Sequence, residues 1–114
     1  MISAKQLNEI IAKRDKTYNK EFRKTYLKLY LKELQIEEKL RATAQNGLTF
    51  ITFRLTSELV HSYGRDLVKD QKLLSKYFES YGYKVQTSIQ TDRDESTCSL
   101  NVYIKFTISW GNRI

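Results

Sequence analysis

The residue types that most often carry enzymatic chemistry are scarce in this sequence. Its 114 residues include one histidine, His61, and one cysteine, Cys98. These two could pair as base and nucleophile, but a structural zinc site takes four ligands and cannot be built from them alone. Cys98 falls on the apolar side of an alternating stretch, where a thiol is inert, and the sequence identifies no acid to orient His61. We therefore expect no catalytic residues.

Motifs for phosphate, nucleotide or metal cofactors are also missing. Neither the P-loop pattern nor the dinucleotide-binding glycine pattern occurs, and four glycines cannot build another glycine-rich loop. Asp92 and Asp94 begin like a calcium loop, but Thr97 stands where that loop needs glycine and Tyr103 where it needs glutamate. An acidic turn is the ordinary interpretation. The sequence thus predicts no enzyme, no metal and no cofactor.

Positive charge is the clearest functional signal. The chain has 20 Lys+Arg and 13 Asp+Glu, a net charge of +7. Such a balance favours an acidic partner, which could be nucleic acid, an anionic membrane surface or an acidic protein. Basic residues spaced along one helix could follow phosphates, with tyrosines nearby for stacking, although a solvated helix face balanced by glutamates is the alternative. The candidate binding residues of this segment are Lys13, Arg14, Lys16, Lys20, Arg23, Lys24, Tyr26, Lys28 and Tyr30.

Tyrosines around Gly82 form a second candidate surface. Tyrosine is enriched at interfaces because it combines a large contact area with a polar tip. The binding hypothesis names Tyr81, Tyr83 and Tyr103. The alternative is that these rings border the hydrophobic core.

The hydrophobic pattern predicts an α+β fold with the element order α-β-α-β-β. From Cys98 to Trp110 every second residue is apolar, which is typical of a strand with one buried face. Tyr83 to Ile89 repeat this pattern more weakly, and Thr91 to Ser96 read as the turn between the two strands. Leu48 to Leu55 are apolar on both sides and are predicted to lie centrally in the sheet. The sheet should be three-stranded and mainly antiparallel.

A long first helix should precede this sheet. Ser3 and Gln6 form a capping box, and Asn46-Gly47 is the next helix-ending signal, so residues 1–44 are predicted as one helix. A break between Asp15 and Asn19, where helix propensity is lowest, is the alternative. Apolar residues recur every eleven positions, at Leu7, Tyr18, Leu29 and Leu40. This period indicates a nearly straight helix.

The second helix should cover one face of the sheet. Thr56 or Ser57 can cap its start, Gly64 can interrupt it, and Asp66 can cap a longer second part that ends at Gly82. We expect a single domain over residues 1–114. The long helix would occupy residues 1–44, with its N-terminal end projecting, and the β-α-β-β body would occupy residues 45–114.

Composition also bears on location and assembly. One cysteine precludes an intramolecular disulfide, and no apolar run approaches the roughly 20 residues of a membrane span, so we expect a cytoplasmic protein without a membrane partner. Residues 26–40 are apolar on more than one side. The excess could be covered by a second helix or by another copy of the chain, which makes residues 26–40 a candidate homo-oligomer interface.

Residues 73–110 contain the motif Phe78-Glu79-Ser80-Tyr81-Gly82-Tyr83-Lys84-Val85 and the ending Thr107-Ile108-Ser109-Trp110. These motifs give the segment a resemblance to the small accessory proteins of tailed bacteriophages. The resemblance implies inhibition of a host defence or polymerase, or a minor part in the virion, and transfers no functional residues.

The sequence therefore predicts a non-enzymatic binding protein that engages and inhibits a host protein or protein–nucleic-acid complex through the basic helix and the tyrosines. Two alternatives stay open. One is a virion structural or assembly protein that forms oligomers, and the other is a nonspecific nucleic-acid-binding protein.

Overall fold

A computed structural model describes residues 1–94 and 99–111, with Asp94 and Ser99 described as backbone only. Backbone contacts group into two compact units, Met1–Glu33 and Leu34–Ile114. We call these the N-terminal unit and the C-terminal unit. The prediction of a single domain stays a prediction.

The N-terminal unit is helical from Ala4 to Glu33. It consists of α1 (Ala4–Glu21), a π-helical turn (Phe22–Tyr26) and α2 (Leu27–Glu33). Ser3 caps α1 and, together with Gln6, forms the predicted capping box. The alternative break between Asp15 and Asn19 is wrong, because α1 runs through these residues without interruption.

The prediction of one helix over residues 1–44 is also wrong. Gln35 adopts the left-handed conformation, with φ 52° and ψ 44°, and separates α2 from α3 (Ile36–Gln45). A left-handed residue other than glycine is uncommon, and neither glycine nor proline marks this position. The break therefore has no local signal in the sequence.

The C-terminal unit contains α3 and the predicted β-α-β-β body. Its elements after α3 are β1 (Phe50–Thr56), α4 (Ser57–Ser62), α5 (Leu67–Ser80), β2 (Lys84–Asp94) and β3 (Ser99–Ser109). The three strands form an antiparallel sheet in the order β1-β3-β2. The α+β fold with a three-stranded antiparallel sheet is therefore confirmed.

The centre of the sheet differs from the prediction. β3 pairs with β2 over eleven residues and with β1 over seven, so β1 is an edge strand. The apolar residues Leu48 and Phe50, which suggested a second buried face, remain exposed. Thr91 to Asp94 pair with Ser99 to Val102 as strand rather than turn, because backbone pairing does not require apolar side chains.

The predicted helix boundaries in this unit are confirmed. The Thr56 hydroxyl accepts a hydrogen bond from the Leu59 amide, and the Asp66 carboxylate accepts one from the Lys69 amide. Gly64 and Gly82 follow α4 and α5 with positive φ angles of 69° and 89°. Such angles suit glycine, which has no Cβ to clash with the following carbonyl.

The core lies on one face of the sheet, beneath α5. Alternate residues of β1 and β3 supply it, and Phe53 stacks on its cross-strand partner Phe106 with ring centroids 4.9 Å apart. Phe78 of α5 lies 5.8 Å from the Phe53 ring. The fully or nearly fully buried apolar residues of this unit are Ile36, Ile51, Phe53, Leu55, Val60, Leu74, Phe78, Ile104, Phe106 and Ile108.

The hydrophobic core covers only part of the β2–β3 hairpin. Ile104, Phe106 and Ile108 are buried, but Leu100 of β3 and Ile89 of β2 are 67% and 68% exposed. The predicted apolar row of β3 is thus buried only in its second half. Cys98, predicted to lie on that row, falls outside the described residues.

One buried ion pair connects the loop before α5 to the helix. The Arg65 guanidinium donates two hydrogen bonds to the Asp70 carboxylate, at 3.1 and 2.9 Å, and both residues are buried. Removal of one partner leaves an uncompensated charge in the interior, which typically costs about 3–5 kcal/mol.

We expect Asp70→Ala to lower the free energy of unfolding by about 3–5 kcal/mol in urea titrations, because Arg65 would stay buried without its carboxylate. Glu79→Ala, an exposed acidic position on the same helix, is the control and should change stability by less than about 0.5 kcal/mol. Equal effects of the two substitutions would contradict a structural role for this pair.

Candidate functional site

All nine basic side chains of the N-terminal unit are exposed. The unit carries Lys5, Lys13, Arg14, Lys16, Lys20, Arg23, Lys24, Lys28 and Lys32, against only Glu9, Asp15, Glu21 and Glu33. Nine positive and four negative charges give this segment a net charge of +5. Basic side chains of this unit are therefore exposed from Lys5 to Lys32.

The π-helical turn decides which lysines share a face. Its defining bond runs from the Leu27 amide to the Phe22 carbonyl, five residues back, so the turn holds one residue more than an α-helical turn. Every later side chain is displaced by about 100° around the axis relative to an unbroken α-helix. Phe22 and Tyr30, eight residues apart, are both buried, and their rings lie 6.2 Å apart.

The same displacement aligns lysines on the opposite side. With the extra residue, five lysines fall within an arc of about 60°, whereas in an unbroken α-helix they would spread over about 160°. We call this set the basic stripe. It consists of Lys13, Lys16, Lys20, Lys28 and Lys32.

Not every predicted basic residue belongs to the basic stripe. Arg14 lies two positions from Lys16, and hence about 160° away around the axis, on the side of Leu7. Arg23 and Lys24 are exposed within the π-helical turn itself. Lys32 was absent from the predicted binding residues, and the π-helical turn brings it into line with Lys16 and Lys20.

The structure changes the predicted binding role of Tyr30 and the apolar side of the helix that the eleven-residue repeat predicts. The repeat predicts that Leu29 follows Tyr18 on the apolar side, but the extra residue of the π-helical turn puts Tyr30 there instead, fully buried. A fully buried ring cannot stack on a partner, so Tyr30 leaves the candidate binding surface. Tyr26 is half-buried.

The predicted oligomer interface is not an exposed apolar surface. None of the large apolar side chains between residues 26 and 40 is exposed. Exposed apolar side chains occur instead near the start of the chain, at Ile2, Leu7, Ile10 and Ile11. Several of the apolar side chains between residues 26 and 40 are half-buried, and a homo-oligomer through this segment stays a prediction.

The tyrosines predicted around Gly82 divide between the two faces of the sheet. Tyr81 and Tyr83 line a cavity of about 400 Å³ with Trp110 and Arg41. The Tyr83 and Trp110 rings meet edge to face at 6.2 Å. Tyr103 occupies an alternate position of β3 and therefore lies on the other, polar face.

Tyr77 belongs to the first of these groups. Its ring lies 5.1 Å from that of Tyr81, edge to face. Burial, followed by the hydrogen bond and charge of Tyr81, raises the pKa of Tyr77. The hydroxyl stays protonated at neutral pH and serves as a hydrogen-bonding group rather than as a base.

The polar face of the sheet holds a cation cluster that the sequence pattern did not reveal. Arg54 of β1 lies directly opposite Lys105 of β3 in the antiparallel register. The guanidinium carbon of Arg54 is 4.6 Å from the centroid of the Tyr103 ring, a cation–π contact. The Tyr103 hydroxyl donates a 2.8 Å hydrogen bond to Gln90 on β2.

These residues border a cavity of about 500 Å³. Lys39 of α3 contributes a third cation to its wall. The complete lining is Leu34, Lys39, Thr52, Phe53, Arg54, Gln90, Tyr103 and Lys105. Among these lining residues none is acidic. We call Lys39, Arg54 and Lys105 the sheet cations.

Among the residues that the structure describes, possible metal ligands are not brought together. His61 is exposed on α4. Within residues 1–94 and 99–111, no group of three or more His, Cys, Asp or Glu side chains is arranged to hold a metal ion. In the same part of the chain, no helix combines the length and the apolar character needed to cross a membrane. The absence of an enzymatic activity and the cytoplasmic location stay predictions.

Comparison with known proteins adds no relative. No family model matches the chain, and neither a curated protein nor a solved structure is similar to it. The resemblance to phage accessory proteins therefore stays a prediction.

Two of the sheet cations, Arg54 and Lys105, should repel each other, and the cost of this repulsion to stability can be measured. Like charges directly opposite each other on neighbouring strands destabilise a sheet, and opposite charges stabilise it by about 0.2–1 kcal/mol. We expect Lys105→Glu to raise the free energy of unfolding by about that amount, because Arg54 would then face a carboxylate.

The matched control is Lys84→Glu, a position on the same face of the sheet whose cross-strand partner is Ser109. Urea titrations of both variants should separate the two effects. A Lys105→Glu variant less stable than the unmodified chain would show that Arg54 and Lys105 do not repel each other.

Proposed function

We propose that the chain is a non-enzymatic binding protein whose basic stripe contacts the phosphate backbone of nucleic acid. The observation that carries this proposal is the alignment of Lys13, Lys16, Lys20, Lys28 and Lys32 on one side of a helix. A face of five exposed lysines suits a linear polyanion because each ammonium acts as a point charge with three rotatable donors.

The spacing within the basic stripe supports a backbone contact rather than base recognition. Lys13, Lys16 and Lys20 are three and four residues apart, which corresponds to rises of about 4.5–6 Å along the helix, and Lys28 and Lys32 are again four residues apart. The step across the π-helical turn, from Lys20 to Lys28, is eight residues. From Lys13 to Lys32 the stripe covers roughly 30 Å, about the length of nine base pairs at 3.4 Å each. Arginine, asparagine and glutamine, which usually read base edges, are absent from the stripe.

The alignment of these lysines by a π-helical turn argues against an incidental basic surface. π-helical turns are rare and frequently mark functional segments, since an extra residue in a helix turn disturbs regular hydrogen bonding. Here the π-helical turn determines the positions of side chains on two sides of the helix. It keeps Phe22 and Tyr30 on a common buried side and the lysines on another. Inhibition of a host complex, which the sequence suggests, would follow if this contact occupied nucleic acid within that complex.

The test is fluorescence anisotropy with a labelled duplex of random sequence, titrated with the full chain at 50–300 mM salt. If all five lysines contact phosphates, the slope of log K against log salt is about −4.5. No binding at 50 mM salt, or binding without a salt slope, would overturn the proposal.

Lys16→Gln with Lys20→Gln should reduce the magnitude of the salt slope by about 1.8 and weaken binding by up to about sixty-fold at 0.1 M salt. Lys72→Gln with Lys76→Gln is the matched control, because both lysines are exposed on α5 with the same four-residue spacing. Arg14→Gln, compared with Lys16→Gln, tests the face of the helix itself. Equal losses for the stripe pair and the α5 pair would show that only net charge matters.

A further inference from the structure

The sheet cations share no residue with the basic stripe. We propose that the cavity on the polar face of the sheet binds the phosphate of a nucleotide, either free or within a single strand. This inference rests on the C-terminal unit alone and does not depend on the N-terminal helix.

The first argument is electrostatic. Arg54 and Lys105 are placed directly opposite each other, and Lys39 borders the same cavity. In the described part of the chain no ion pair involves any of these three side chains. Repulsion between opposed cations costs stability, and a bound phosphate would replace that repulsion with attraction between each cation and the anion.

The second argument is preorganisation. Arg54 is held against the Tyr103 ring at 4.6 Å, and Tyr103 is in turn held by its hydrogen bond to Gln90. Gln90 also donates a hydrogen bond to Ser88, so its amide is fixed. A guanidinium held on a ring keeps its planar fork available for two parallel bonds to phosphate oxygens, and loses little freedom on binding.

The third argument concerns the size and polarity of the cavity. Its volume of about 500 Å³ lies within the range of small-molecule sites and exceeds what a phosphate ion alone would fill. Beside the cations, its wall offers the Thr52 hydroxyl, the Gln90 amide and the Tyr103 phenol. These neutral polar groups suit the sugar and base of a nucleotide better than an apolar ligand.

Other surfaces of the protein give less evidence about the ligand that they would bind. The cavity at Tyr81, Tyr83 and Trp110 has aromatic walls and one cation, Arg41, but nothing in the structure indicates its occupant. The exposed apolar side chains near the start of α1 likewise lack an identified partner. The cation cluster is different because its own charges specify the sign of the ligand.

The experiment is a ¹⁵N–¹H NMR titration of the full chain with inorganic phosphate, AMP and a short oligothymidylate. We expect shifts of the Thr52, Arg54, Tyr103 and Lys105 amides, with AMP binding at least about tenfold more tightly than inorganic phosphate. If the oligonucleotide binds more tightly than AMP, a single strand is the ligand, and the reverse order identifies a free nucleotide. Equal affinities for phosphate and AMP would overturn the nucleotide assignment.

Arg54→Gln with Lys105→Gln should weaken AMP binding at least about tenfold, while Lys84→Gln, on the same face of the sheet, should leave it unchanged. The spectrum of the double variant also reports whether it is folded, and removal of opposed like charges should not unfold it. The Lys16→Gln, Lys20→Gln variant should bind AMP normally, which separates this site from the basic stripe. Undiminished binding by the Arg54, Lys105 double variant would refute the site.

Discussion

The structure depends on the pairing of β3 along both of its edges. Ser99–Ser109 forms antiparallel ladders with β2 and β1, so that each of its residues is fixed to one face of the sheet. Ile104, Phe106 and Ile108 are directed into the core, and Tyr103, Lys105 and Thr107 into the polar face. A register shift of one residue would exchange the two sets and bury Lys105. The apolar row of β3 therefore also determines where the charges lie.

The sheet tolerates opposed cations because burial of its apolar side chains contributes more free energy than the repulsion costs. Burial of an aliphatic or aromatic side chain contributes roughly 1.5–3 kcal/mol, and three such residues of β3 are nearly or fully buried. Repulsion between two exposed charges on neighbouring strands is smaller, at a few tenths to about 1 kcal/mol. The core thus fixes the register in spite of the charges on the other face. A protein can keep such a charge arrangement for ligand binding because its fold does not depend on it.

The N-terminal unit shows a comparable link between packing and charge. Its π-helical turn keeps Phe22 and Tyr30 on one side despite a spacing of eight residues, which an α-helix would turn by about 80°. The same extra residue brings Lys28 and Lys32 back into line with Lys16 and Lys20. One local irregularity in the backbone therefore sets both the buried side and the basic side. The two proposed anion contacts share this feature: in each, apolar packing determines where cations are displayed.

Much of the fold was evident from local patterns in the sequence. The alternation up to Trp110 identified β3, since a half-buried strand requires period two. Ser3, Thr56 and Asp66 identified helix starts, because their side-chain oxygens satisfy amides that the first turn leaves unpaired. The positive charge of the first helix was likewise readable from composition alone.

Other features were decided only by tertiary structure. The left-handed conformation of Gln35 and the π-helical turn carry no glycine or proline signal, because longer-range packing can stabilise a backbone geometry that local propensity does not favour. The position of Lys105 opposite Arg54 joins residues 51 positions apart, and only strand order and register bring them together. The sequence by itself determined the sign of the charge and most of the elements, but not the division of the first helix. The tertiary structure determined which charges stand side by side, since that depends on pairing between distant segments.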